Sequence, residues 1–166
     1  SSSQYINLID AESEYINLNT NEIGIGDGFI FQLSSDAVFG DDIELILNIE
    51  AVDNEWIFYI PININSPKIN ILDYVIISGE DEPGSSVVLS LNVVNDGNLP
   101  IENLNVNVIS PTNQIQVIDE NINFGNILNG QELSSNLIGD NITLNYSESI
   151  FKGSVFPMQL NFTNSE

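Results

Sequence analysis

Asp73, Glu80, Asp81 and Glu82 place four carboxylates within ten residues of one another. Calcium takes six to eight oxygen ligands, so this cluster is the chain's best metal candidate if the strand carrying Asp73 ends against the acidic loop. The spacing fits no EF-hand, and the same residues also read as a solvated acidic turn. Asp41-Asp42, Asp53 with Glu55, and Asp119-Glu120 are weaker versions of the same chemistry. Paired carboxylates can also run glycoside hydrolysis. With 24 acidic residues in 166, however, such pairs arise by accident, and nothing marks a cleft.

Other reactive chemistry is excluded by what the chain lacks. It has no His and no Cys, which removes Ser-His-Asp and Cys-His nucleophiles, disulfides and ordinary zinc centres. Its only cations, Lys68 and Lys152, follow a linker proline and precede a turn glycine, so neither is expected to be the buried base of a Ser-Lys dyad. No catalytic constellation remains, and the expectation is a non-enzymatic protein with no cofactor other than a potential calcium. The formal net charge of −22 argues against nucleic acid and anionic membrane as partners, because phosphate neutralisation needs clustered cations.

Two surface chemistries are left. Trp56, Phe58 and Tyr59 could stack on a sugar, although alternation directs Trp56 and Phe58 inward and Tyr59 outward. Asn141, Asn145 and Asn161 each begin a glycosylation sequon, a pattern that a chain with 25 Asn also generates by composition.

The elements that position these residues are strands. The chain holds 26 Ile but only three Ala, a composition that favours pleated, β-branched packing over helix. Period-two alternation is clearest at Val87, Leu89, Leu91 and Val93, and it recurs at Ile6–Ile9, Phe29–Leu33, Ile43–Ile49, Leu104–Val108, Ile115–Val117, Ile142–Tyr146 and Phe156–Phe162. Asp27-Gly28, Asp96-Gly97 and Asn129-Gly130 supply turns. Pro61 removes a ladder donor from the aromatic run Trp56–Ile62 and directs it to a sheet edge or bulge. No apolar run approaches the length of a membrane-spanning helix, so membrane insertion is not expected.

The chain also repeats itself. Ile6–Asp10 matches Ile115–Asp119 at an offset of 109, while Phe29–Gly40 and Ile43–Ile49 match Ile142–Gly153 and Phe156–Phe162 at an offset of 113. One four-residue loop insertion near Asn129–Ser135 reconciles the offsets, and apolar parity is kept in both copies. A period near 110 residues is the size of one immunoglobulin-like sandwich. The fold expected is therefore all-β, an immunoglobulin-like antiparallel β-sandwich in about one and a half tandem repeats. Residues 1–65 would be the second half of a repeat and residues 66–166 a module. The second copy has no counterpart of the Trp56–Ile64 strand, and the first has none of the strands from Ile69 to Val108.

Glu82-Pro83-Gly84 ahead of a strand, Leu91-Asn92-Val93-Val94-Asn95-Asp96-Gly97, and Phe124-Gly125-Asn126-Ile127 with the Gly130 turn resemble CARDB-like immunoglobulin-like adhesion modules. Such modules stand in tandem in large secreted bacterial proteins, including the C-terminal regions of gingipain-type cysteine peptidases. The segment Leu33–Gly40 followed by a strand and Trp56 is similar to the closing half of the same module. The resemblance implies an extracellular or cell-surface setting and structural or adhesive work. Two departures limit it: the loop Gly79–Gly84 is shorter than the cation-binding loop of relatives, and no peptidase domain is present. The first residue is Ser rather than Met, as expected of a piece of something longer. The partners expected are neighbouring repeats or copies of the chain itself, with a strand of one copy completing another head to tail, and glycans or other surface proteins beyond these.

Overall fold

A computed structural model describes residues 4–15 and 17–164. The chain divides into two compact units, Ser1–Asn65 and Ser66–Glu166. Both are built from antiparallel strands, and the one helix among the described residues, α1 (Ser135–Ile138), is a single turn. No helix among them is long and apolar enough to cross a membrane.

The second unit is a β-sandwich. One sheet contains β5 (Ile69–Gly79), β6 (Ser86–Asn95), β8 (Ile115–Asp119), β10 (Glu132–Ser134) and β11 (Ile142–Tyr146). The other contains β7 (Ile101–Ile109), β9 (Asn121–Ile127) and β12 (Gln159–Thr163). β6 pairs with β5 on one side and with β10 and β11 on the other, and β11 then pairs with β8. β5-β6-β11-β8 follows the A-B-E-D order of an immunoglobulin-like sandwich and β12 against β7 matches strand F against strand C, with β9 and β10 inserted in the chain between the strands that match D and E. Alternate residues of the two inner faces, among them Val87, Leu91, Val93, Val106, Ile122 and Leu144, interlock in one core.

Two polar devices hold the sandwich where ladders stop. Neither β10 nor β11 pairs with β6 at Leu91. The buried Ser135 Oγ, carried there by α1, accepts the Leu91 amide at 3.0 Å. Asn95, fully buried at the end of β6, uses its whole side chain. Its Oδ1 accepts the amides of Lys68 and Gly97, and its Nδ2 donates to the carbonyls of Leu99 and Ile127. One amide group thereby ties β5, β9 and the β6–β7 turn together, at no cost in orphaned polar atoms.

The first unit comprises two hairpins, β1 (Ile6–Asp10) with β2 (Ile30–Leu33) and β3 (Ile43–Ala51) with β4 (Asn54–Ile62). Its geometry duplicates part of the second unit. β1 pairs with β2 through Ile6–Leu33, Asn7–Gln32, Leu8–Phe31 and Asp10–Ile30, passing over Ile9. β8 pairs with β11 through Ile115–Tyr146, Gln116–Asn145, Val117–Leu144 and Asp119–Thr143, passing over Ile118. Register and bulge are the same at offsets of 109 and 113. Beyond the hairpin, the Ser34 amide donates to Tyr5 as Ser147 does to Gln114, and Asp41 donates to Val38 as Ser154 does to Phe151. A tight turn also recurs, in which the Glu22 amide donates to the Asn19 carbonyl as Gln131 does to Leu128. In each unit the long side chain returns to the first residue's amide at 2.8 Å.

Burial does not follow this duplication. Tyr15 is 53% exposed where Phe124 is 5%, and Leu18 is 52% exposed where Ile127 is fully buried. The second unit covers these positions with β6 and β7, strands that have no counterpart in the first. The same lack corrects the expectation for the aromatic strand. Trp56 and Phe58 are 46% and 50% exposed, and both faces of β4 are open. Alternation gives Trp56 and Phe58 one face, and the first unit's other sheet, β1 with β2, leaves that face about half exposed. Residues 11–29 form no strand among those described, because the strands that β9 and β10 pair with, β7 and β6, are the ones missing here.

Candidate functional site

The acidic candidates do not assemble. Asp73 lies within β5 at a bulge, six residues before the strand ends, where its carboxylate accepts a hydrogen bond from Asn92 Nδ2. Glu80, Asp81 and Glu82 occupy the β5–β6 turn, which closes on itself as Ser85 Oγ donates to the backbone carbonyls there. Among the described residues no three carboxylates come together as a metal site. Glu82 pairs instead with Lys152 at 2.5 Å, which holds the Glu82 carboxyl below its usual range and the Lys152 ammonium above it. A raised ammonium is the opposite of what a Ser-Lys base requires. Lys68 is exposed as well.

One acid does touch a perturbed group. Tyr146, at the end of β11, is pushed up to about 12 by burial first and by the neighbouring Asp81 carboxylate second, both of which disfavour the phenolate. A phenol held neutral in this way is a hydrogen-bond donor and packing group, not a base.

One concave feature of the second unit is mainly apolar. A cavity of about 530 Å³ opens beside β12, walled by Ile71 and Tyr74 of β5 on one side and by Met158 and Leu160 on the other, with Leu91 and Leu144 of the core at its floor. Tyr146, Glu82 and Lys152 stand at its rim. The opening exists because, among the described residues, β12 pairs with β7 and with no other strand. In an immunoglobulin-like sandwich strand G lies beside strand F at this place. Sequence reasoning did not find the groove, since the lining residues come from six strands and two loops and share no local pattern. The one available signal was the lack of a partner for Phe156–Phe162 equivalent to Trp56–Ile62.

No family model matches the chain, and no curated protein or solved structure matches it significantly.

Proposed function

We propose that the chain is a non-catalytic structural and adhesive module of a larger secreted or cell-surface protein, made of about one and a half copies of one immunoglobulin-like sandwich, with copies joined head to tail by strand complementation. The observation that carries this reading is the residue-for-residue register of the two hairpins, including the skipped Ile9 and Ile118. Tandem duplication of one sandwich is how spacers and adhesive stalks gain length without a new fold. The resemblance to CARDB-like modules points the same way. A net charge of −22 suits a crowded surface, where it keeps neighbouring stalks apart.

The reading is tested on intact cells of the source organism with an antibody raised against the chain. Labelling without permeabilisation, abolished by external protease, is expected. Labelling only after lysis would overturn it.

The exposure of Trp56 and Phe58 side by side on one face of β4 favours a second reading, a carbohydrate-binding accessory module. A glycan array decides it: binding lost in Trp56→Ala supports sugar recognition, and an array without signal removes it.

A further inference from the structure

The two units differ in one respect that their shared register makes measurable. β3 and β12 are counterparts, yet β3 carries β4 along its edge while β12 carries nothing there among the described residues. In the first unit Ile43, Leu45, Leu47 and Ile49 face Ile62, Ile60, Phe58 and Trp56. An offset of 113 carries those four β3 positions onto Phe156, Met158, Leu160 and Phe162.

We propose that the groove beside β12 is the acceptor for β4 of a second copy of the chain, in the register β4 already has on β3. This rests on reading the two units as copies of one module. Residues directly opposite in an antiparallel pair share a face. Met158 and Leu160 wall the groove. Ile60 and Phe58 therefore enter it, and Trp56 follows beside Phe162. Transfer exchanges one β4 ladder for another, so the backbone hydrogen bonds nearly cancel. What remains is burial: β4 is exposed on both faces in its own hairpin, and the groove covers one of them. An isolated two-stranded hairpin is marginal in water, which makes β4 a strand that can leave.

Chain length excludes the chain's own β4 as the donor. In the proposed register Ile62 lies opposite Phe156, at the end of the sandwich where the β5–β6 turn sits, and Ile69 begins β5 at the other end. β5 spans about 33 Å at ~3.3 Å per residue. The seven steps from Ile62 to Ile69 reach about 25 Å even when fully extended. A chain cannot place its own β4 in its own groove in this register.

The lack of cysteine makes the register testable by cross-linking. Phe58→Cys and Leu160→Cys chains, mixed under mild oxidation, should form a mixed disulfide severalfold faster than Phe58→Cys with Asn161→Cys, whose side chain points to the other face. The double variant Phe58→Cys/Leu160→Cys should give a ladder of oligomers. Equal rates for the two mixtures, or a double variant that closes on itself as a monomer, would overturn the proposal. Leu47→Cys/Phe58→Cys within one chain is the control. If it fails to close, the shared register and the module reading fall together; if it closes while the Leu160 pair does not, only the acceptor falls. The unsubstituted chain gives a readout free of substitution. It should associate as concentration rises, and Phe58→Glu, on an exposed position, should return it to monomer. A chain that stays monomeric at every concentration would overturn the proposal equally.

Discussion

Gly40 and Gly153 stand 113 residues apart in equivalent turns, with φ of 93° and 85°. Each follows an equivalent hairpin and precedes an equivalent strand, so the positive-φ residue is kept where the backbone needs it. The other recurring turn shows the same constraint met by different chemistry, with Asn21 at φ 65° where the second unit has Gly130 at 70°. Asparagine is among the few L residues that enter the left-handed region readily.

Gly153→Ala should therefore lower stability by about 1 kcal/mol, from backbone strain alone, because a Cβ there meets nothing within 4 Å. Gly79→Ala carries similar strain, and its Cβ would also lie 2.1 Å from the Ser86 carbonyl oxygen. The expected order in urea denaturation is wild type, then Gly153→Ala, then Gly79→Ala well below both. Equal midpoints for the two variants would contradict the close approach of β5 and β6 at their shared turn.

Asn95→Ala removes four hydrogen bonds at once, two of them buried and two part-buried, and leaves two amides and two carbonyls without their side-chain partner. Each orphaned buried group costs roughly 1–3 kcal/mol, so a loss of at least about 3 kcal/mol is expected. Urea midpoints measure it. A loss under about 1 kcal/mol would mean that water replaces the side chain.

Strand positions in the second unit were readable because its central strands are covered, so alternation in Val87–Val93 reports real burial. In Trp56–Ile60 the same alternation reports only a capacity for burial, since the strands that would complete the facing sheet, the counterparts of β5 and β6, are absent among the described residues of that unit. β9 was less legible. Asn121-Ile122-Asn123-Phe124-Gly125 breaks its pattern at Gly125, beside the bulge where Leu104 pairs, and its buried Ile122 and Phe124 depend on β7 from a distant segment. The acidic cluster was a grouping by sequence alone. Sequence proximity joined Asp73 to Glu80–Glu82, whereas an extended strand carries them apart by several residues of rise.

Alkaline pH provides a probe of the groove's rim. The pKa of Tyr146 is about 12 in the folded protein, above the ordinary value of 10.0. Because the folded value is the higher one, the associated stability is fully present below about pH 10 and is lost as pH rises toward about 12. Tyr146→Phe removes that titration. Urea midpoints followed between pH 9.5 and 12 should fall less steeply in the variant; parallel slopes would show that Tyr146 ionises as an unfolded tyrosine does.

Ionic strength separates apolar strand exchange from charge-driven association. Each copy carries a net charge of −22, so two copies repel before any strand is transferred. The contact proposed between β4 and the groove is made by Ile60, Phe58, Met158 and Leu160 and loses nothing to screening. At about 0.01 M salt the screening length is about 30 Å and repulsion acts across the whole approach; at about 0.15 M it is about 8 Å. Sedimentation of the unsubstituted chain should thus show more self-association at the higher salt. Association that weakens with salt would instead assign the contact to ion pairs, for which Lys68 and Lys152 are the only available cations.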